Sequence, residues 1–479
     1  MPSTVSIQVA ASSSHAEMAG VEVPDGRSRR SAVEVSDGRS RRSTIDPSDG
    51  RSRRATMVAG QHFAGIDALR GYAAVAVVLL HACVPYARPS MAGLSWSVHD
   101  TPSDIVTALF WAIELVIMPI FLVIAGFFAA RSVSSRGGWS VTMQRLQRLG
   151  KPLAWALVLM LPLEFYIWML GWVADGSVSI REVRRIKFAE GIDRNLWGLS
   201  HLWFLQYLMI YTVILASVWP RLSRCSTTTL VRFGLPCTFA AAVISLTMRP
   251  EVVWGFQHSF LPVLSKWVYS GAFFTAGVFW YSLDPQLSEL GKRGQRLLGP
   301  GVLLSAAAVS MGIWWLNAAG DPATWLSGGW ANAPAMNGSL AQAGGFPIGS
   351  VWMRGGLATL SVGAASLLTF GLLGIAATRQ RPLGRGLASL AAASFLIYLL
   401  HHPIVGLAST AAKYAMPGAS PLFKVAVVTT LGVAAGWSVS WLATCRRERI
   451  WEQTHGGEVA ETIEFPRVGG TDRAEEKAA

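Results

Sequence analysis

Three ionisable residues, Asp67, Arg70 and His81, interrupt an otherwise apolar segment near the start of the main body of the sequence. Eleven residues of α-helix make three turns plus roughly 20°, so Arg70 and His81 share one face, and Asp67 falls within about 40° of His81. Asp67 can pair with Arg70, three residues away. A neutral imidazole is a suitable base for a hydroxyl group near neutral pH. The spacing therefore predicts proton transfer at His81, with Arg70 and Asp67 as catalytic partners; the plainer interpretation is a histidine hydrogen-bonded to a neighbouring helix.

Further polar residues that could take part in catalysis or substrate binding occur later in the chain. His201 lies in Ser-His-Leu-Trp, whereas Tyr398, His401 and His402 lie in Tyr-Leu-Leu-His-His-Pro. We place His201, Tyr398, His401 and Glu114 on the side of a hydroxylated acceptor. Glu114 or Glu164 is expected either to orient His81 through a hydrogen bond or to form a structural pair.

We predict no metal site and no metal cofactor. His401 and His402 are adjacent and face different directions on a helix, and the four cysteines lack a CxxC spacing.

Arg145, Arg148 and Lys151 form a basic group between two apolar runs. Arg145 and Arg148 are three residues apart and would share a helical face, and arginine suits bidentate contacts with phosphate. The sequence therefore predicts a site for a phosphate-bearing cofactor here. The alternative is ordinary cytoplasmic basic residues.

The elements that position these residues follow from composition. The 479-residue chain is 52% hydrophobic and only 14% charged, against about a quarter charged in soluble domains. Its apolar runs are long enough to cross a bilayer as helices. We predict an all-α polytopic membrane protein with about ten transmembrane helices, at 66–86, 105–130, 152–173, 201–220, 229–247, 265–282, 297–316, 354–376, 388–409 and 422–444.

The loops between these helices predict the orientation. With the N-terminus inside, the inner loops contain 17 Lys and Arg residues and the outer loops 11. Excess positive charge marks the cytoplasmic side, so both termini are predicted to be cytoplasmic. The net charge of +13 is explained by these loops, and we expect no nucleic-acid partner.

Two outer loops differ from the rest. Residues 174–200 carry five basic residues among apolar ones, which predicts an interfacial amphipathic helix. Its basic side chains would contact lipid headgroups or, alternatively, an anionic acceptor. Residues 317–353 contain one charged residue and three tryptophans, which could anchor at the membrane interface or stack on sugar rings.

The two ends of the chain have another composition. Residues 1–63 form an arginine-rich tail in which a twelve-residue unit recurs three times, and nothing in it could bury a core. Translation could begin at Met57 instead of Met1. Residues 64–445 form the transmembrane domain, and 446–479 are predicted to be a charged cytoplasmic tail.

Several motifs, in order, resemble the acyltransferase 3 family of membrane O-acyltransferases. The first motif is Arg70 followed by ten residues and then His81. Met118-Pro-Ile-Phe-Leu-Val-Ile-Ala-Gly126 resembles its second helix, with Ala125 where serine is usual. Arg145-Leu-Gln-Arg148 is similar to the family's Arg-x-x-Arg, and the segments around His201 and His401 complete the set. The opening Asp-Ala-Leu-Arg and the His-His-Pro are most like the glucan biosynthesis protein C branch.

The resemblance implies a function. The protein is expected to move an acetyl or succinyl group from cytoplasmic acyl-CoA to a hydroxyl of a periplasmic or cell-surface glycan, in a bacterial inner membrane. The branch implies succinylation of periplasmic glucans. Arg145, Arg148 and Lys151 would bind acyl-CoA and His81 would act as the base. The alternatives are a proton-coupled secondary transporter for a sugar or small metabolite, and a membrane sensor or scaffold without chemistry.

Overall fold

The computed structural model describes residues 63–89, 91, 94–186, 188, 198–256, 259–318, 351–379 and 381–455. The predicted tail with its repeats, Lys187, Arg194 and most of the 317–353 loop lie outside the described residues. The described part is helical and contains no β-strand.

Ten long helices, labelled α1 to α10, account for most of the described chain. They are α1 (Ala64–Cys83), α2 (Asp104–Arg136), α3 (Lys151–Ala174), α4 (Trp203–Leu222), α5 (Leu235–Met248), α6 (Leu264–Leu283), α7 (Ser288–Ala318), α8 (Val351–Thr378), α9 (Arg385–Ala415) and α10 (Pro421–His455). Short helices at Gly138–Arg145, Ile180–Arg185, Thr227–Thr229 and Glu251–Trp254, and helical turns at Val84–Tyr86, Leu146–Gly150, Ser200–Leu202 and Leu230–Gly234, lie between them.

Within the described residues, nine helical spans are long and apolar enough to cross a membrane, which confirms the all-α polytopic fold. α6, predicted as a further span, is 20 residues long but is not among the nine. It contains Lys266 together with several Trp, Tyr and Ser residues, which lower its mean hydropathy. α6 packs along α2 and α5, so much of it faces protein.

The helices extend beyond the apolar runs that predicted them. α7 begins at Ser288, where 297 was predicted, because the carboxylate of Asp284 accepts hydrogen bonds from the backbone N–H of Ser288 (2.9 Å) and Glu289 (2.8 Å). α10 continues to His455, past the predicted end at 444. Arginine and glutamate favour a helix although they do not favour lipid, so the end of the apolar run is not the end of the helix.

The predicted amphipathic helix after α3 is present but short. Ile180–Arg185 begins with a capping box, in which Ser179 and Glu182 satisfy each other's backbone N–H groups. Phe188 beyond it is buried against Phe165 and Trp172.

α1 is the central helix for the site. It packs against α2, α8, α9 and α10. Small residues permit such close packing in membrane bundles, where helix contact comes mainly from van der Waals packing. At the neighbouring α2–α6 contact the fit is reciprocal: a β-carbon on Gly126 would overlap the carbonyl of Phe274, and one on Gly277 would overlap the carbonyl of Val123.

Candidate active site

His81 lies near the end of α1 and is held by its own helix. Its Nδ1 atom is 2.8 Å from the carbonyl oxygen of Val77, one turn earlier. The same Nδ1 atom is 3.4 Å from Nε2 of His401 on α9. These two contacts fix the orientation of the ring.

Four histidines, His81, His201, His401 and His402, form one buried group that we call the imidazole cluster. The His81 ring centroid lies 5.0 Å from that of His401 and 4.9 Å from that of His402. His201, in the helical turn before α4, lies 5.2 Å and 4.7 Å from the same two rings. The sequence singled out these histidines one by one; the structure brings them into mutual contact.

The hydrogen-bond partners assign the tautomers of three rings. His401 donates from Nδ1 to the carbonyl of Tyr398 at 2.7 Å, which leaves its Nε2 as an acceptor for His81. His81 donates from Nδ1, so its neutral form has a bare Nε2. Among the described residues nothing hydrogen-bonds that Nε2 atom. Nε2 of His201 lies 3.2 Å from the carbonyl oxygen of Leu399, so this nitrogen carries the N–H.

Glu164 on α3 anchors the other side of the cluster. Its Oε1 atom lies 3.0 Å from Nδ1 of His402 and accepts a 2.5 Å hydrogen bond from Ser200. Its Oε2 atom lies 3.5 Å from Nδ1 of His201. Glu164 thus forms a structural pair, one of the two alternatives predicted for it. In the described part of the chain no hydrogen bond joins Glu164 or Glu114 to His81, whose Nδ1 atom contacts the carbonyl of Val77 and His401.

From the sequence, His401 and His402 were expected to face different directions. Their rings do stand at 90° to each other, yet both enter the same cluster. Glu164, His201 and His402 are a group among the described residues that could hold a metal ion. The prediction of no metal rested on the adjacent histidines and the cysteine spacing, and the sequence did not show that Glu164 of α3 and His201 meet His402.

Tryptophans cover the cluster. Trp96, in the segment between α1 and α2, stacks near His81 with ring centroids 5.9 Å apart, and Trp168 stacks on His402 at 5.1 Å. Trp168 and Trp172 donate indole hydrogen bonds to the carbonyls of Ser95 and Trp96, both at 2.8 Å. α3 therefore holds this segment over the histidines. The sequence analysis missed these residues, because tryptophans in a membrane protein usually indicate interfacial anchoring.

A cavity adjoins the cluster and is lined by His81, His201, His402 and Tyr398 together with Glu114, Met118 and Pro119 of α2. Tyr398 is oriented by a hydrogen bond from its hydroxyl to the carbonyl of His201. The predicted acceptor-side residues His201, Tyr398 and Glu114 thus line one cavity, while His401 packs behind His81.

Lys266 also lines this cavity and was missed, since the sequence analysis counted it as an ordinary basic residue of an outer loop. Its ammonium lies 3.8 Å from the ring centroid of Trp203 and 4.6 Å from that of Phe256. Such cation–π contacts stabilise a charge removed from water. Glu114 interacts electrostatically with it. The signal was available: the lysine falls inside a predicted membrane helix, where charged residues indicate function.

The remaining predicted site residues lie at the other end of α1. Arg70 and Asp67 pair at 3.2 Å, as predicted, but three turns of helix, about 16 Å of rise, separate Arg70 from His81. Arg145 lies close enough to Arg70, Arg136 and Arg148 for the like charges to repel one another. We call these four arginines the basic cluster. Lys151 is exposed at the start of α3.

The fold and the site define the class: a polytopic membrane protein with an imidazole cluster at one end of a central helix and a basic cluster at the other. Residues 63–443 match the acyltransferase 3 family model, described as "Acyltransferase domain". The chain therefore belongs to the acyltransferase 3 family and is a membrane acyltransferase. Neither a curated protein nor a solved structure matches the chain.

Proposed function

We propose that the protein transfers an acyl group, acetyl or succinyl, from cytoplasmic acyl-CoA to a hydroxyl of a periplasmic or cell-surface glycan. The observation that carries this proposal is the bare Nε2 atom of His81, a residue that lines a mainly apolar cavity with a few polar side chains, while its Nδ1 atom is hydrogen-bonded. A fixed imidazole with one free nitrogen is the arrangement required of a general base.

In the proposed reaction, Nε2 of His81 takes the proton of the acceptor hydroxyl. The hydroxyl oxygen attacks the thioester carbonyl, the carbon–sulfur bond breaks, and the CoA thiolate leaves with the proton returned by His81. The positive charge on His81 during transfer is shared through the Nδ1–H contact with His401 at 3.4 Å. No acyl-histidine intermediate is needed.

The basic cluster suits the donor. Acyl-CoA carries several phosphate charges, and arginine side chains bind phosphate with bidentate hydrogen bonds. Arg145 is half-buried among the other three arginines, and Arg148 is exposed. Arg70 thus belongs with the donor phosphates, and the pantetheine arm spans the distance of about 16 Å along α1 to His81.

The cavity residues suit a hydroxylated acceptor. Glu114 can accept a hydrogen bond from a sugar hydroxyl, and the ammonium of Lys266 can donate one. The resemblance to the glucan biosynthesis protein C branch supports a glucan acceptor and a succinyl group. We place the protein in a bacterial inner membrane with both termini cytoplasmic, on the excess of basic residues in the inner loops.

Gene deletion followed by mass spectrometry of the exported glycans tests the proposal. A mass difference corresponding to one acyl group is expected to vanish on deletion and to return with the wild-type gene but not with His81→Ala. Unchanged glycans would contradict the glycan acceptor. Full restoration by His81→Ala would contradict the catalytic role of that residue.

A further inference from the structure

Three side chains with metal-binding atoms meet on the far side of the imidazole cluster from His81. They are Glu164 of α3, His201 before α4 and His402 of α9, and one ligand atom from each lies within 4.8 Å of the others. The Nδ1 atoms of His402 and His201 are 3.0 Å and 3.5 Å from the two carboxylate oxygens. In a tetrahedral zinc site with bonds of about 2.0–2.2 Å, neighbouring ligand atoms stand roughly 3.3–3.6 Å apart. The second contact falls within that range and the first lies about 0.3 Å below it.

The same atoms have no partner outside this group of three residues. Oε2 of Glu164, Nδ1 of His201 and Nδ1 of His402 are buried, and in the described part of the chain their only polar contacts are the ion-pair contacts among the three residues themselves. The exposed fractions of these three residues are 8%, 5% and 4%. Buried polar atoms are almost always paired. Buried atoms that face one another and have no other partner are suited to share an occupant that accepts their lone pairs.

The surrounding contacts prepare these atoms as ligands. His201 carries its N–H on Nε2, facing the carbonyl of Leu399 at 3.2 Å, so Nδ1 is free to coordinate. Ser200 donates to Oε1 of Glu164 at 2.5 Å, and Tyr398 holds the backbone carbonyl of His201. Outer hydrogen bonds of this kind fix the tautomer and orientation of metal ligands.

We propose that Glu164, His201 and His402 bind a divalent transition-metal ion. Two imidazoles and one carboxylate are the ligand set of catalytic zinc sites and also of non-haem Fe²⁺ sites, and elemental analysis distinguishes the two metals. His201 and His402 also line the cavity beside His81, so a bound ion would lie next to that cavity. This binding does not depend on the proposed acyl transfer.

Metal content of the purified protein tests the proposal. The full chain, with an affinity tag free of histidine, is purified in detergent, exchanged with Co²⁺ and examined by elemental analysis and visible absorption. We expect one ion per chain and the d–d bands of a low-symmetry Co²⁺ site. His402→Ala and Glu164→Gln should each lower occupancy at least tenfold. His401→Ala is the matched control, because His401 is adjacent and equally buried but is not one of the three ligands, and it should keep the metal.

A second measurement, the shift of the unfolding temperature by added Zn²⁺, requires no activity. Binding to the folded state alone raises the unfolding temperature, so wild type and His401→Ala should gain stability and His402→Ala should not. Wild-type protein without Co²⁺ bands would overturn the proposal, as would equal loss from His401→Ala and His402→Ala. If the ligand variants do not fold, the wild-type protein alone tests the proposal: Co²⁺ d–d bands with one ion per chain support the metal site, and their absence overturns it.

Discussion

The Nδ1 atom of His81 and the Nε2 atom of His401 lie 3.4 Å apart, although 320 residues separate them in the chain. This contact joins the central helix α1 to α9 and leaves the opposite nitrogen of His81 at the cavity. When Nε2 of His81 accepts a proton, the imidazole of His401 is therefore already in place to accept the Nδ1–H on the other side of the ring.

Replacement of His81 by alanine should remove the general base. General acid–base groups contribute about 10²–10⁴-fold in rate, so acyl transfer in proteoliposomes should fall by that factor with insertion unchanged. His99→Ala is the control, because His99 is exposed on the segment between α1 and α2. An equal loss in both variants would point to a general defect and against His81 as the base.

Replacement of Arg145 by alanine should weaken donor binding. A charge-assisted hydrogen bond contributes about 1.5–3 kcal/mol, so we expect the KM for acyl-CoA to rise roughly tenfold or more, with kcat little changed. Steady-state kinetics at two salt concentrations measure this. Arg293→Ala is the control, since that side chain is 76% exposed on α7. A fall in kcat at constant KM would contradict a donor-binding role.

Replacement of Gly406 by alanine should destabilise the site. A β-carbon there would overlap the ring of Trp168, which covers His402, and overpacking costs about 1–3 kcal/mol. Gly386→Ala is the matched control on the same helix, because open space surrounds Gly386. Thermal unfolding in detergent should show a lower Tm for Gly406→Ala alone. Equal Tm values would show that Trp168 can move aside.

The pair of Asp100 and Lys424 should make stability depend on pH. Burial alone raises the pKa of Asp100, but hydrogen bonds from Lys424, at 2.7 Å, and from Thr101 outweigh it, so this pKa lies below its ordinary value. A carboxyl with a depressed folded-state pKa stabilises the protein above its unfolded pKa of about 3.9, and the contribution is lost as the pH falls below that.

Asp100→Asn tests the pair. Lys424 is only 2% exposed, so loss of its partner should cost on the order of 3–5 kcal/mol at neutral pH. The difference in Tm from wild type should shrink as the pH falls below about 4. Asp104→Asn, at an exposed position nearby, should cost less than about 1 kcal/mol. A difference that stays constant with pH would contradict the ion pair.

Much of the fold could be predicted from the sequence. Apolar runs located the ten long helices, because the bilayer requires such runs and satisfies no backbone polar group. The ends were less predictable: Asp284 begins α7 through a side-chain cap in a polar stretch, where hydropathy gives no signal.

The site was predictable by residue but not by arrangement. His81, His201 and His401 were identified individually from polar residues in apolar surroundings. Their contact depends on α1, α3, α4 and α9 packing together, and helical periodicity within one helix carries no information on which helices meet. For the same reason the sequence left open whether Glu164 bonds to His81 or forms a structural pair, and α3 brings it to His402.

The segment over the histidines is anchored through its main chain. Trp168 and Trp172 donate to the carbonyls of Ser95 and Trp96, and Ser97 donates to the carbonyl of Gly406. Every amino acid has a carbonyl oxygen, so the indole bond from Trp168 does not require a particular side chain at position 95. Position 95 can therefore be substituted while this segment keeps its place over the histidines.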